Sequence, residues 1–119
     1  MKEGDVILTQ IPQSDGTLKT RPALVLRELP PFRDLLVCGI STQTHQAVRG
    51  FDEVMLRTDS DFSDTGLIAD SVVRLGFLAV LPRSKVAGTI GRVSPARYER
   101  LLKRLSAYLT EKIMKVSVE

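Results

Sequence analysis

Aromatic residues are scarce in this chain. They make up 5% of its 119 residues, and there is no Trp among them. Proteins that bind single-stranded nucleic acid without sequence preference stack its bases on aromatic rings, so this composition gives little support to such a surface. We therefore expect any contact with a nucleic acid to depend mainly on charge and on hydrogen bonds.

Cysteine and histidine are almost absent, with Cys38 and His45 as the single examples. One cysteine cannot form a disulfide within the chain, and these two residues cannot make the Cys/His cluster of a structural metal site. Cys38 lies in the apolar stretch LLVCGI, which predicts a buried thiol. His45 has no evident partner for proton transfer and is interpreted as incidental. The sequence therefore predicts neither a metal nor a cofactor.

Long hydrophobic runs are also missing. The longest unbroken run is FLAVL, which is far too short to cross a membrane. The first ten residues, MKEGDVILTQ, carry charges where a signal peptide needs an apolar segment. We expect a cytoplasmic protein that does not enter a membrane.

Charge is unevenly distributed along the chain. The net charge is +3, and the excess lies in residues 91–119, which hold seven basic and three acidic residues. Such a segment can attract polyanions, or it can be the solvated face of a helix. The acidic stretch TDSDFSDTG does not match the spacing of a calcium-binding loop and is interpreted as a solvated loop.

Short apolar runs separated by turn-forming residues dominate the first three quarters of the chain. They are VILTQ, ALVLRE, LLVCGIS, EVML, SVVRL and FLAVL, followed by VAGTIGRV, whose two glycines suggest bends or bulges. This pattern predicts a mainly β fold, an antiparallel barrel or sandwich. The length suits one domain, with the sheet over about residues 3–93.

A helix is predicted over about residues 94–115. Ser94 is a candidate N-cap and Pro95 suits the first helical position. Glu99 with Lys103, and Glu111 with Lys115, are spaced to form favourable pairs. The apolar stripe comprises Tyr98, Leu101, Leu102, Leu105, Leu109 and Ile113.

Arg21 is the first candidate site residue. It lies in TLKTRPALVL, where Pro22 restricts it to an extended conformation at the start of an apolar strand. A planar, permanently charged guanidinium on a rigid strand suits a phosphate or carboxylate ligand. An ordinary surface arginine flanking a strand is the alternative.

Two further segments are candidates. The strand LLVCGIS ends in the hydrogen-bonding residues Ser41, Thr42 and Gln43, which can serve a ligand or simply form a turn. Arg74 interrupts the apolar run SVVRL, so we expect its side chain to emerge at a sheet edge or at a site.

Five motifs in order resemble the MazF/PemK family of bacterial toxins. They are GDVILTQIP, RPALVL, CGIST, GLIADSVVRL and TIGRVSPARYERLLKRL. The resemblance implies a small SH3-like antiparallel β-barrel with a C-terminal α-helix. It also implies a homodimeric endoribonuclease of a toxin–antitoxin pair.

The resemblance implies roles for individual residues. Arg21 matches the arginine that faces the scissile phosphate, Ser41 matches an assisting hydroxyl residue, and Arg74 matches an arginine that some members use. The family cleaves single-stranded RNA without metal by attack of the ribose 2′-OH, and its antitoxins carry an acidic segment. The residues predicted to bind RNA are Gln10, Asp15, Lys19, Thr42 and Gln43.

The chain departs from the family pattern after the Val-Val strand. Many members carry an acidic residue, then Gln and, further on, Arg-Thr, where this chain has Gly76, Phe77, Ala79 and Val80. Two alternatives therefore stay open. One is a catalytically weak or inactive module that binds RNA or an acidic antitoxin peptide, and the other is a gyrase-binding toxin on the same barrel.

Overall fold

The computed structural model describes residues 1–12 and 14–113. In this part of the chain there are six strands and one α-helix, with short 3-10 turns at residues 44–46, 63–65 and 83–85. The strands are β1 (Asp5–Pro12), β2 (Leu18–Leu29), β3 (Asp34–Ser41), β4 (Glu53–Met55), β5 (Ser71–Leu81) and β6 (Val86–Arg92), and the helix is α1 (Pro95–Thr110).

All six strands form one sheet in the order β4-β5-β3-β2-β1-β6. Every neighbouring pair is antiparallel. The predicted fold class, a mainly β antiparallel architecture with a C-terminal helix, is confirmed. Two register shifts interrupt the pairing of β1 with β6, in the VAGTIGRV segment where the glycines suggested irregularity.

The end strand β6 makes a close backbone contact with the segment that connects β4 to β5. The 3-10 turn before β5 packs against β6, and a Cβ atom on Gly66 would collide with the carbonyl oxygen of Ile90. A Cβ atom on Gly91 would collide in the same way with the carbonyl oxygen of Asp64. Glycine at both positions therefore allows this turn and β6 to approach closely.

Apolar side chains are buried on both faces of the sheet, because successive residues of a strand point to opposite faces. Leu24 and Cys38 belong to the cluster that includes Leu101 and Leu105 of α1. The opposite face buries Ile7, Ala23, Val25, Leu35 and Val37. The predicted burial of the Cys38 thiol is confirmed, and desolvation raises its pKa to about 12.

Helix α1 begins as the sequence predicts. Ser94 caps it by accepting a hydrogen bond from the Arg97 amide, and Pro95 is its first residue. The ion pair between Glu99 and Lys103 forms at 2.8 Å. The helix ends at Thr110, before the predicted residue 115, and residues 114–119, including Lys115, lie outside the described part of the chain. No helix within the described ranges is long and apolar enough to cross a membrane.

Arg97 of α1 is buried and forms ion pairs with the acidic loop, which the sequence-based interpretation of a solvated helix face and a solvated loop did not predict. Arg97 is 7% exposed, and its guanidinium binds Glu53 at 2.8 Å, Asp61 at 2.9 Å and Asp59 at 3.3 Å. The interpretation of this loop as merely solvated is therefore wrong for Asp59 and Asp61. We call this group the helix anchor; it comprises Arg97, Glu53, Asp59 and Asp61, with Arg100 and Arg104 also bound to Glu53.

Strand β5 joins two runs that the sequence shows as separate. SVVRL and FLAVL are continuous, but their pairing with β3 shifts between them. Gly39 lies opposite Arg74, whereas the next residue back, Cys38, lies opposite Leu78. The intervening β5 residues 75–77 therefore form a bulge, which bends the strand and changes which way their side chains point.

Candidate anion-binding site

A cavity of about 350 Å³ lies where β2, β3 and β5 meet at one end of the sheet. We call it the arginine cavity. Its lining consists of Ser14, Arg21, Pro22, Gly39, Ile40, Ser41, Thr42, Gln43, Arg74 and Phe77. All three residues that the sequence predicts to be catalytic thus border one space, together with two of the five predicted RNA-binding residues.

The strand register explains why Arg21, Ser41 and Arg74 meet. Gly39 of β3 lies opposite Ala23 of β2 on one side and opposite Arg74 of β5 on the other. Residues directly opposite each other share a face of the sheet. Arg21 precedes Ala23 by two residues and Ser41 follows Gly39 by two residues, so alternation keeps both on that same face.

The two cavity arginines lack acidic partners in the described part of the chain. Arg21 is exposed and Arg74 is partly buried. Neither forms an ion pair within residues 1–12 and 14–113, and the cavity lining contains no carboxylate. Two positive charges on one small cavity create a potential that attracts anions, and the guanidinium geometry suits phosphate oxygens.

Ser41 combines a turn with a free donor. Its Oγ accepts a hydrogen bond of 3.0 Å from the Gln43 amide, which fixes the chain as it leaves β3. Because Oγ is the acceptor in this bond, the hydroxyl proton is not used by it and can be donated to an anion in the cavity. Turn formation and ligand binding, the two interpretations of this segment, are therefore compatible. Thr42 and Gln43 follow as exposed polar residues of the lining.

Phe77 is a lining residue that the sequence did not single out as part of a site. It is 50% exposed, and a Cβ atom on Gly39 would lie 2.7 Å from its Cδ1. Its spacing of three from Arg74 predicts opposite faces in a regular strand. The β5 bulge breaks that alternation and brings both residues to the arginine cavity. The Gly76–Phe77 pair was the only local signal of such a bulge.

The other three predicted RNA-binding residues lie outside the cavity lining, on the hairpin of β1 and β2. Gln10 and Lys19 are exposed on these strands. Lys19 shares a strand face with Arg21 by alternation and therefore extends the basic surface. Asp15 accepts hydrogen bonds from the Thr17 hydroxyl at 2.7 Å and the Thr17 amide at 3.0 Å. The hydrogen bond from the Thr17 hydroxyl, followed by that from the Thr17 amide, lowers the pKa of Asp15. Asp15 therefore helps to shape the hairpin loop.

Of the four positions that depart from the family pattern, Gly76 and Phe77 line two different cavities, whereas Ala79 and Val80 line neither. Gly76 lies not in the arginine cavity but in a second, larger cavity of about 850 Å³ between residues 48–51, β5 and α1. Its immediate neighbour Phe77 is in the arginine cavity. Among the described residues, no three His, Cys, Asp or Glu side chains are grouped to hold a metal ion.

The groups that line the cavity suit an anionic ligand. Two guanidinium groups supply charge, and the Ser41 hydroxyl supplies a directed hydrogen bond. These groups can stabilise negative charge that develops on phosphate oxygens. The described residues of the lining include neither an imidazole nor a carboxylate, so none of them has a side chain that ordinarily titrates near neutrality.

Two solved structures share this fold over most of the chain. The Mycobacterium tuberculosis toxin MazF-mt6 aligns with a TM-score of 0.63 and 24% identity, covering 88% of this chain and 95% of that one. A MazE-MazF structure from Deinococcus radiodurans aligns with a TM-score of 0.63 and 17% identity, covering 92% and 95%. At these identities the similarity concerns the fold. No curated protein sequence matches the chain.

The sequence itself matches a family model over nearly its whole length. The model describes the PemK-like, MazF-like toxin of type II toxin–antitoxin systems, and it covers residues 2–109. That range includes all six strands, the residues of the arginine cavity and most of α1. The chain belongs to the PemK-like, MazF-like family of toxins.

Proposed function

We propose that this protein is the toxin of a type II toxin–antitoxin pair and cleaves single-stranded RNA without a metal ion. The observation that carries the proposal is the arginine cavity, where Arg21 and Arg74 have no carboxylate partner in the described chain. An arginine that stabilises the fold is normally neutralised by the fold, whereas an arginine that binds an anion must be left free for it. Family membership supports RNA as the source of that anion.

The proposed reaction is an internal transfer at phosphorus. The ribose 2′-oxygen attacks the adjacent phosphorus, the bond to the 5′-oxygen breaks, and a 2′,3′-cyclic phosphate and a 5′-OH result. Negative charge grows on the non-bridging oxygens during the attack. Arg21 and Arg74 stabilise that charge, and the Ser41 hydroxyl orients the phosphate by donating a hydrogen bond.

Two protons must also move. The 2′-OH loses one, and the leaving 5′-oxygen gains one. Because the described part of the lining has no imidazole or carboxylate, we assign proton donation to Arg21 and removal of the 2′-OH proton to solvent. Arginine is a weak acid, with a pKa of about 12 or higher, so its main contribution is electrostatic.

The proposed partners follow from the same charges. An antitoxin with an acidic segment would compete with RNA for the cavity arginines. Thr42 and Gln43 at the rim, with Gln10, Asp15 and Lys19 on the hairpin, are the proposed contacts to RNA outside the scissile phosphate. We further propose a homodimer, as the resemblance implies, and a cytoplasmic location, as the sequence predicts.

A second function is a module that binds RNA or an acidic peptide without cutting it. The observation in its favour is that no described residue of the cavity lining has a side chain that ordinarily titrates near neutrality. Binding needs only the two guanidinium groups, whereas cleavage also needs proton transfer. A cleavage assay separates the two functions.

The test compares the purified protein with its Arg21→Ala variant on a long mixed-sequence RNA in EDTA. We expect the wild-type protein to cut at a short recurring sequence and leave 5′-OH ends. Removal of one charge donor from a preorganised site typically costs about 10²–10³-fold in rate, and we expect that loss for Arg21→Ala.

Arg57→Ala is the matched control, because Arg57 is exposed and outside the arginine cavity. It should cleave at the wild-type rate. Wild-type cleavage by Arg21→Ala would exclude the proposed site. Binding of RNA without cleavage by the wild-type protein would establish the second function instead.

A further inference from the structure

Phe77 is an exposed aromatic ring on the wall of a charged cavity. The residue is 50% exposed, although it sits in a strand whose first half is buried. When a ligand covers an apolar ring and removes it from water, this burial favours binding of the ligand. The arginine cavity therefore offers two unlike surfaces, one cationic and one flat and apolar.

The backbone holds the Phe77 ring in place. A Cβ atom at Gly39 would lie 2.7 Å from Cδ1 and 3.5 Å from both Cγ and Cε1 of Phe77, so this edge of the ring rests on the glycine. The bulge at residues 75–77 turns Phe77 to the same cavity as Arg74. Glycine on one strand and a bulge on the next thus fix the position of the ring.

A nucleotide is the ligand class that fits both surfaces. Its phosphate suits the guanidinium groups of Arg21 and Arg74, and its base is a flat aromatic group attached at a short, fixed distance. The cavity volume of about 350 Å³ lies within the range of about 300–1,000 Å³ that is usual for small-ligand sites. The carboxylates of an acidic peptide would bind the arginines but would not by themselves cover the ring.

We propose that Phe77 stacks on one nucleobase beside the phosphate that Arg21 and Arg74 bind. The inference rests on the proposed function and identifies a specificity-determining residue for it. Because every base has a flat face, stacking tolerates any base and favours purines, which overlap the ring most. A phenyl group cannot read hydrogen-bonding edges, so selection at this one position follows ring size.

The test measures binding of a short RNA that is 2′-O-methylated throughout and therefore cannot react by the proposed mechanism. Its positions are replaced one at a time by an abasic nucleotide, and each oligonucleotide is titrated against the wild-type protein, Phe77→Leu and Phe77→Tyr. Phe32→Leu is the matched control, since Phe32 is 81% exposed and outside the cavity. Circular dichroism and sedimentation confirm that the variants share the fold and mass of the wild type.

One abasic position should weaken binding to the wild type by about 5- to 150-fold, the range for loss of one base–aromatic stack. Phe77→Leu should weaken binding of the intact RNA by a similar factor and should be insensitive to that abasic position. Phe77→Tyr keeps the ring and should restore both the affinity and the sensitivity. Phe32→Leu should match the wild type.

Several outcomes would overturn the inference. If the wild type cleaves RNA and Phe77→Leu binds the oligonucleotide as tightly as the wild type does, the proposed function stands and the stacking on Phe77 is wrong. If Phe77→Leu changes the sedimenting mass and the abasic scan is flat, the ring belongs to a protein interface. If Phe77→Leu fails to fold, a flat abasic scan of the wild type alone still rejects the stack. If the wild type neither cleaves nor binds RNA, the proposed function fails with it.

Discussion

Arginine occurs in two opposite environments in this protein. In the helix anchor, Arg97 is buried and binds three carboxylates from β4 and the following loop. In the arginine cavity, Arg21 and Arg74 have no carboxylate partner among the described residues and reach solvent. The same side chain is thus neutralised by the fold in the helix anchor and left without a resident carboxylate, among the described residues, in the arginine cavity.

The contrast separates two uses of charge. A buried guanidinium must be fully paired, because desolvation makes an unpaired charge very costly. A binding guanidinium needs the reverse arrangement, since a resident carboxylate would compete with the ligand. Pairing therefore distinguishes a structural arginine from a ligand-binding one, whereas the local sequence does not.

The largest expected effect comes from breaking the helix anchor. Arg97→Met keeps the aliphatic length but leaves Asp59 and Asp61 without their main partner. Loss of one member of a buried ion pair costs about 3–5 kcal/mol, and we expect about 3 kcal/mol because Glu53 keeps Arg100 and Arg104. Urea unfolding at one fixed protein concentration measures the change in the free energy of unfolding.

Arg57→Met is the control for the helix anchor, because the Arg57 side chain is 69% exposed and its pair with Asp70 is long, at 3.8 Å. It should change the free energy of unfolding by no more than about 0.5 kcal/mol. An equally small change for Arg97→Met would show that the helix anchor contributes little to stability.

The next effect comes from the cavity. Arg74→Ala should reduce cleavage by about 10²-fold, because it removes one of two charge donors. It should also reduce the slope of log affinity for single-stranded RNA against log salt concentration by about 0.7, the value for one phosphate contact. Titration of the methylated oligonucleotide over a salt series measures that slope.

A stability measurement on Arg74→Ala complements the cleavage and binding measurements. The free energy of unfolding should change by no more than about 0.5 kcal/mol, since Arg74 has no partner to lose among the described residues. A loss comparable to that of Arg97→Met, with an unchanged salt slope, would make Arg74 a structural residue and would remove it from the proposed site.

Much of the fold could be predicted from local patterns. Apolar runs with period two and the Ser94–Pro95 helix start depend on neighbouring residues, so the sequence reveals them directly. Local features and the resemblance pointed to Arg21, Ser41 and Arg74, which the structure brings to one cavity. Their catalytic roles stay predictions.

The remainder depended on contacts between distant segments. Arg97 and Asp61 are 36 positions apart, and nothing local distinguishes Asp61 from a solvated loop residue. Phe77 was missed for a different reason, because only the bulge in β5 brings it to the same cavity as Arg74, and a regular strand would place the two residues on opposite faces. Prediction failed where the geometry departs from the regular period or where charges pair over long distances.

The smallest expected effect is the pH dependence of stability that Asp61 of the helix anchor causes. The hydrogen bond from Arg97, with that from Ser94, lowers the pKa of Asp61 to about 2, against 3.8 ordinarily. A pKa lowered in the folded state stabilises the fold above the unfolded pKa and loses that contribution as pH falls towards 2. We expect at most about 2 kcal/mol, since part of the side chain faces solvent.

Asp61→Asn isolates this contribution because it removes the titrating group and keeps a side chain of the same size. The gap in unfolding free energy between wild type and Asp61→Asn should be constant above about pH 5 and should narrow as pH falls towards 2. Asp64→Asn, at an exposed neighbouring position, should follow the wild-type curve. A gap that did not narrow would mean that the ionised carboxylate of Asp61 does not stabilise the fold. The helix anchor would then depend on Glu53 and Asp59, whereas a narrowing gap assigns Asp61 a direct share in neutralising Arg97.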